Sequence, residues 1–366
     1  MNDTLRSSRL FVIKTIMREQ LIGKTLGELQ ILCKNLNMPA FTAKQIAEWL
    51  YKKKVVSIDQ MTNISLAYRE KLKETYDTGR QIPVKHQKSI DKTIKYLFPV
   101  NGEKFIESVF IPDKDRATLC VSSQVGCKMN CLFCMTGKQG FNAQLTASEI
   151  INQILSVPES DQLTNLVFMG MGEPLDNTDE LFKVLEILTA SYGFAWSPRR
   201  ITVSTIGLLP SLKRFLETSQ CHLAISLHTP YHEERMKWMP IEKKYPLDDL
   251  IQLVKNYDFA HQRRLSFEYI CFGGINDNLT HAKALNKLLS GLPCRVNLIK
   301  YHEIPGIDLP SSNGENMIRF RDYLSEHGTI CTIRSSRGED ILAACGMLST
   351  KENWAGRNKD VSLPLN

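Results

Sequence analysis

From Ala117 onward, short apolar runs alternate with stretches of helical periodicity, and this alternation restricts the fold more than any other feature of the chain. Strands are predicted at 118–122, 165–169, 200–204, 223–227, 265–270 and 296–301, with helices at 147–155, 179–191, 208–218, 247–256 and 278–289 between them. Parallel strands need a crossover of a dozen or more residues, which the helical stretches supply. Six such units predict an α/β fold whose parallel sheet curls into a partial (β/α)6 barrel. Active sites of such folds lie beyond the carboxyl ends of the strands, so the residues that follow each run are where chemistry is sought.

Ahead of the barrel the pattern differs. Residues 21–77 read as short helices. Thr25-Leu-Gly-Glu28 forms a capping box before Leu29, Leu32, Cys33 and Leu36, and Thr42 with Gln45 at the third position forms a second before Ile46, Trp49 and Leu50. A third helix carries Ile64, Tyr68 and Leu72 on one face. Asn101-Gly102, between β-rich runs at 95–98 and 104–111, is a strong hairpin signal. The predicted organisation is a basic helical accessory domain over 1–80, a β-hairpin linker over 81–115, the barrel with a C-terminal loop bearing Cys345 over 116–350, and a tail over 351–366.

At 366 residues the chain exceeds the usual size of one domain. Its 43% hydrophobic and 23% charged residues exclude a disordered protein. The net charge of +7 is unevenly placed: residues 1–100 hold 18 Lys and Arg against 9 Asp and Glu, and residues 101–366 hold 28 against 30. A basic front end on a near-neutral body suits a polyanionic partner, with Lys52-Lys-Lys54 between helices of a module fit for RNA docking; a solvated lysine-rich face would give the same count. No apolar run is long enough to cross a membrane, and the N-terminus mixes Arg6, Arg9, Lys14 and Arg18 with its apolar residues, so the expected location is cytoplasmic, without membrane contact. Cysteines in a reducing compartment point to metal binding or catalysis rather than to structural bridges.

Directly after the first barrel strand, Gly126-Cys-Lys-Met-Asn-Cys-Leu-Phe-Cys-Met-Thr-Gly137 places Cys127, Cys131 and Cys134 within eight residues. Three clustered thiolates suit a metal. A closed zinc site needs a fourth ligand, for which Cys120 or a distant His could serve. An iron–sulfur cube held by three cysteines leaves one iron open to a ligand that is not protein. After the second strand, Met169-Gly-Met-Gly-Glu-Pro174 combines glycines that let backbone approach a ligand with a carboxylate able to accept from an ammonium group. The third strand ends at Ser204-Thr205-Ile-Gly207 and the fourth at Ser226-Leu227-His228, and Asn297 is a polar residue aimed into the barrel from the sixth. These could contact a ligand or cap the helices that follow. Cys120 and Cys345 stand apart from the cluster, whereas Cys33, Cys221, Cys271, Cys294 and Cys331 lie in apolar or strand-like contexts and read as packing residues.

The C-x3-C-x2-C spacing, with Phe133 before the third cysteine, resembles that of the radical S-adenosylmethionine (SAM) enzymes. The blocks 116–137, 169–177, 197–207, 226–230, 297–299 and 334–346 resemble one family in particular, the radical SAM adenine-C2 RNA methyltransferases, and the likeness extends over nearly the whole chain. It implies a radical SAM barrel in which Cys127, Cys131 and Cys134 bind a [4Fe–4S] cluster, and Gly172, Glu173, Ser204, Ser226, Leu227, His228 and Asn297 bind SAM. It implies methylation of C2 of an adenine in 23S rRNA (adenine-2503), and of adenine-37 of tRNA in members that also act on tRNA. One SAM would methylate Cys345; a second would be cleaved to make a radical on that methyl group, which adds to C2. A Cys120–Cys345 disulfide would then release the base. Glu107 falls at the family's proton-acceptor position, and whether it or Cys120 takes the C2 proton stays open. The resemblance also implies an electron donor such as flavodoxin or ferredoxin, and nothing in the sequence demands more than a monomer. Relatives that methylate C8 of the same adenine share the cluster, both cysteines and the glutamate. The rival classes are those C8 enzymes, a radical SAM enzyme of other specificity, and a zinc-dependent RNA-binding protein that would leave Cys345 without a role.

Overall fold

A computed structural model of the chain describes residues 18–100, 104–261 and 263–350. Ten strands make one continuous sheet and lie side by side in chain order: β1 (Lys85–Lys88), β2 (Ile94–Val100), β3 (Lys104–Asp113), β4 (Arg116–Cys120), β5 (Asn165–Phe168), β6 (Ile201–Thr205), β7 (His222–Ser226), β8 (Leu265–Cys271), β9 (Cys294–Lys300) and β10 (Ile330–Ile333). Strands β1 to β4 pair antiparallel and β4 to β10 pair parallel. The six predicted barrel strands are β4 to β9, displaced by at most two residues at each end, and β10 adds a further parallel strand that the sequence does not announce. Its four residues, Ile-Cys-Thr-Ile, are too short a run to separate from a helix segment by pattern alone.

Strands β2 and β3 are the expected hairpin, paired from Ile94↔Phe110 to Val100↔Lys104; the predicted turn at Asn101-Gly102 lies outside the described residues. β3 then pairs with β4, so the hairpin extends the barrel sheet directly.

The crossover helices follow their predicted positions: α5 (Ala147–Ser156), α6 (Thr178–Thr189), α7 (Leu209–Thr218), α9 (Leu247–Lys255) and α10 (Leu279–Leu288). Three more complete the layer, α4 (Met135–Gln139), α8 (His232–Trp238) and α11 (Gly314–Glu326). Outward-facing strand residues such as Leu119, Leu166, Val203, Leu223, Phe267 and Leu298 are buried against these helices, which is why every second residue of each strand is apolar. Among the described residues no helix is long and apolar enough to cross a membrane.

The front module holds α1 (Leu26–Asn35), α2 (Thr42–Ala47) and α3 (Leu66–Thr75). Thr25 and Glu28 form the predicted capping box. The second box does not form: Phe41 occupies the cap and Thr42 is already helical and buried, because Ala43, Ile46 and Ala47 must face the module core. The module leans on the barrel through α5. Arg80 donates to Ser156 Oγ at 2.9 Å and Leu155 O at 2.6 Å, and Lys54 reaches Asp161 at 2.6 Å. The five cysteines read as packing residues behave so: Cys33, Cys221, Cys271 and Cys331 are buried and Cys294 is half-buried.

Candidate active site at the carboxyl ends of the strands

Strand alternation puts residues two apart on one face, so Thr118 and Cys120, Thr202 and Ser204, Ser226, Glu268 and Asn297 line the inside of the barrel. Beyond β4 the chain turns through Gly126 and enters the three-cysteine loop. Cys134 N–H donates to Cys131 O at 3.1 Å, Leu132 N–H to Trp238 O at 2.8 Å, and Met135 N–H to Gly346 O at 2.8 Å. The loop is thereby tied to α8 on one side and to the Cys345 loop on the other. Burial pushes the Cys127 thiol up to about 12, with a contribution from Cys134, and raises Cys131 well above its ordinary value, with contributions from Cys134 and Cys127. Phe133, between two of the cysteines, packs edge-on against His228 with ring centroids 4.8 Å apart.

Glu173 follows β5. Gly172 before it has φ +97°, and a Cβ there would lie 2.5 Å from Gln124 Cβ, so only glycine allows this turn. Gln124 accepts from Glu173 N–H at 2.8 Å. The Glu173 carboxylate is buried and accepts from Ile206 N–H and Leu175 N–H, each at 3.1 Å. Burial lifts it to about 7, against these hydrogen bonds and one from Thr205. It forms no ion pair among the described residues, leaving an acceptor poised for a cation from outside.

Arg235 of α8, itself buried, donates to Ile206 O at 2.9 Å and Ser226 O at 3.1 Å and is paired with buried Glu242. It therefore pins together the ends of β6 and β7, which carry Ser204 and Ser226. Ser204 and Ser226 are half-buried on the inner face, while Leu227 is buried and contributes backbone, its N–H donating to Glu268 O at 3.0 Å. His228 is buried at φ +64°, and its Nδ1 accepts from Ile270 N–H at 3.0 Å. Burial and then Arg235 hold the imidazole down at about 3, so it is neutral and carries its proton on Nε2.

A chain of polar groups crosses from β10 to β8. Thr332 donates to Asn297 Oδ1 at 2.8 Å, Asn297 Nδ2 donates to Glu268 Oε1 at 2.8 Å, and Arg334 Nη1 pairs with Glu268 Oε2 at 3.2 Å. Arg334 sits among the two isolated thiols. Burial pushes Cys120 up to about 12, with a contribution from Cys345 and relief from Arg334; burial also raises Cys345, and Arg334 opposes it. Cys345 is open to solvent through a cavity of about 340 Å³ whose walls include Arg116, Thr118, Val167, His302 and Arg334. Neither Glu268 nor Arg334 was singled out in the sequence. A glutamate inside a strand carries no motif, and only the register between β8 and β9, Glu268↔Asn297, shows its partner.

Glu107 lies elsewhere than the cavity wall. It is fully buried, paired with Lys95 at 3.1 Å, and accepts from Ser349 N–H at 2.9 Å. It thus holds the chain just after Cys345.

The donor set can be tested against an iron–sulfur cluster. Three thiols on one tightly tied loop lie within electrostatic reach of each other, beside a carboxylate that has no cation. Among the described residues no three His, Cys, Asp or Glu side chains gather closely enough to hold a single metal ion. A cube takes one thiolate per iron, so its cysteines need not meet at one point, and the loop fits it on that count.

Comparison with known proteins adds to this geometry. The model of the radical SAM superfamily matches residues 121–284, and that of the ribosomal RNA large subunit methyltransferase N-terminal domain matches residues 19–77. The probable dual-specificity RNA methyltransferase RlmN of Parabacteroides distasonis is 62% identical over 336 residues, covering 92% of this chain and 98% of the relative. Its counterpart in Bacteroides thetaiotaomicron is 63% identical over 330 residues, covering 90% and 96%. The crystal structure of a radical SAM methyltransferase from Sphaerobacter thermophilus superposes with a TM-score of 0.84 at 37% identity, covering 90% of this chain and 98% of that one.

Proposed function

The chain belongs to the RlmN-type dual-specificity RNA methyltransferases of the radical SAM superfamily, and from that membership we propose that it methylates C2 of adenine-2503 in 23S rRNA and of adenine-37 in tRNA. SAM and a [4Fe–4S] cluster are the cofactors of such an enzyme. In this reading Cys127, Cys131 and Cys134 hold the cluster and Glu173 takes the SAM amino group. Gly172, Ser204, Ser226, Leu227, His228 and Asn297 complete the SAM site. When bound, the cluster and two SAM molecules per turnover supply one methyl group and one hydrogen-abstracting radical.

The chain's own residues do the rest. Cys345 carries the methyl group to the base and stays bonded through it to C2. Arg334 holds negative charge favourable at both thiols. The odd electron of the radical adduct would return to the cluster as Cys120 takes the C2 proton. The Cys120 sulfur then attacks the Cys345 sulfur; the S–S bond forms as the S–C bond breaks, and the electron pair leaves to the exocyclic carbon. That carbon takes the proton held by Cys120, and an outside reductant resets the disulfide. The C2 proton is assigned to Cys120 rather than Glu107, since the Glu107 carboxylate is committed to Lys95 and Ser349. The basic front module, residues 1–80, is the RNA-docking element, 81–115 joins it to the barrel, and an electron donor of the flavodoxin or ferredoxin type serves the cluster.

The observation that carries this reading is the placement of Cys120 and Cys345 about one guanidinium, at the strand ends, with Cys345 facing the cavity. The test is a visible spectrum with iron analysis on anaerobic protein, followed by turnover with Cys120→Ala. About four irons per chain and a trapped protein–RNA adduct are expected. A colourless protein with one zinc, or free turnover by the variant, overturns it; 8-methyladenine as product overturns the regiochemistry alone.

A further inference from the structure

The barrel end opposite the cysteine loop carries cations that the steps above do not use. Arg116 opens β4, His222 opens β7, Arg264 immediately precedes β8, Arg295 is the second residue of β9, and Arg199 lies in the short turn Pro198–Arg200 ahead of β6. Counting back two residues at a time from Cys120, Ser226, Glu268 and Asn297 reaches Arg116, His222, Arg264 and Arg295, so alternation gives all four the inner face. The parallel register puts His222 beside Arg264, with Leu223 opposite Leu265, and sets Arg295 two residues further along, with Ser266 opposite Arg295; Arg295, Arg116 and Arg199 all lie within electrostatic reach of Arg264. Arg116, Arg199 and Arg264 are exposed, and Arg295 and His222 are half-buried.

No carboxylate balances them. Among the described residues none of the four arginines makes an ion pair, and Asp113, opposite Arg116 across the β3–β4 turn, is committed to Arg337 at 3.1 Å. Beyond burial, what acts on Arg264 is Arg295, Arg116 and Arg199, all lowering it. His222 is held at about 4 by burial and then by Arg264, Arg199 and Arg295, so it is neutral at pH 7 and adds no charge. Like charges gathered at one rim raise the local potential and favour an anion from outside. Guanidinium forks fit phosphate oxygens bidentately.

The rim is continuous with the reaction cavity, because Arg116 lines the same 340 Å³ space as Cys345. Arg116 and Cys120 are four residues apart on one strand, about 13 Å, which sets the rim at the level of nucleotides flanking a base presented to the thiols. We infer that Arg116, Arg199, Arg264 and Arg295 form a phosphate-binding rim at the amino-terminal mouth of the barrel, which grips the RNA backbone beside the target nucleotide. This rests on the reading that the chain modifies an RNA base, and it adds a second RNA-binding surface separate from the front module.

The test compares wild-type holoenzyme with Arg199→Ala/Arg264→Ala/Arg295→Ala, sparing Arg116 because it walls the cavity. Binding of a 23S rRNA fragment containing the target adenine is measured from 50 to 300 mM salt (roughly spanning the range where counterion release is steep). Every phosphate of single-stranded RNA that a variant no longer neutralises should flatten the log–log salt slope by about 0.7, so the triple variant should be about 2 shallower and roughly tenfold weaker at low salt. KM for RNA should rise while kcat at saturating RNA is kept. Arg264→Ala alone, a single exposed change, should flatten the slope by about 0.7. Unchanged slope and affinity in both variants overturn the rim. If wild-type protein fails to load a methyl group on Cys345 or to methylate RNA, the functional reading falls instead, and the slope comparison still decides whether the rim binds RNA.

Discussion

Lys95 and Glu107 are both 0% exposed and 3.1 Å apart, on neighbouring strands β2 and β3. Replacing Lys95 by Met keeps most of the volume and takes the Lys95 cation away from the buried Glu107 carboxylate. Breaking a buried pair from one side costs about 3–5 kcal/mol. With an unfolding entropy of about 2.1 cal/mol/K per residue, a chain of this length should lose about 4–6 °C in melting temperature. The pH dependence has a definite sign. A buried carboxylate that loses a neighbouring cation has its folded pKa raised, so the folded state binds the proton more tightly, and the penalty grows as pH rises above about 4.3 and saturates above the raised pKa. Lys95→Met should therefore melt closer to wild type at pH 5 than at pH 8. Lys95→Met/Glu107→Leu removes the buried carboxylate and should regain most of the loss at pH 8. Calorimetry or thermal fluorescence at the two pH values checks this. A double variant that melts as low as the single one, with no pH dependence in either, would refute the charge argument and assign the cost to packing.

Three further outcomes are expected. Glu173 is lifted to about 7, so SAM binding should weaken as pH falls through that value, by about tenfold from pH 8 to pH 6 for this group's ionisation; titration calorimetry should show a dependence one unit shallower in Glu173→Gln. Gly172→Ala places a Cβ 2.5 Å from Gln124 at φ +97°, a strain of about 1–3 kcal/mol that should lower the melting temperature and SAM affinity together. Arg334 opposes the burial that raises Cys345, so in Arg334→Met the rate of Cys345 methyl loading, followed by intact mass, should fall at neutral pH and recover as pH rises; an unshifted profile would remove Arg334 from thiol activation.

The parts of this molecule legible in the sequence are those encoded within a few residues. The cysteine loop, the Gly172-Glu173 turn and the crossover helices all announce themselves locally, and their structural positions follow. What the sequence hid depends on register. Lys95 pairs with Val109 and Glu107 with Leu97, so the two charges meet only diagonally across the hairpin, and neither shows this within its own run. Glu268 and Arg334 lie 66 residues apart and meet through β9 between them. Arg235 ends the charged run Glu233-Glu-Arg235, and nothing local in that run shows that it lies buried and joins two strand ends. Thr42 failed as a cap because the capping pattern competed with a more strongly apolar face one residue out of phase.

The Cys345 loop hangs from the three-cysteine loop by consecutive bonds: Met135 N–H to Gly346 O at 2.8 Å, Thr136 Oγ1 to Leu348 O at 2.8 Å, and Gln139 Nε2 to Thr350 Oγ1 at 2.9 Å. The segment that would seat the iron and the segment that presents the sulfur are therefore one mechanical part. Damage to the first is felt by the second without any signal passing through the barrel. A substitution that displaces residues 135–139 would therefore shift the chain around Cys345 as well.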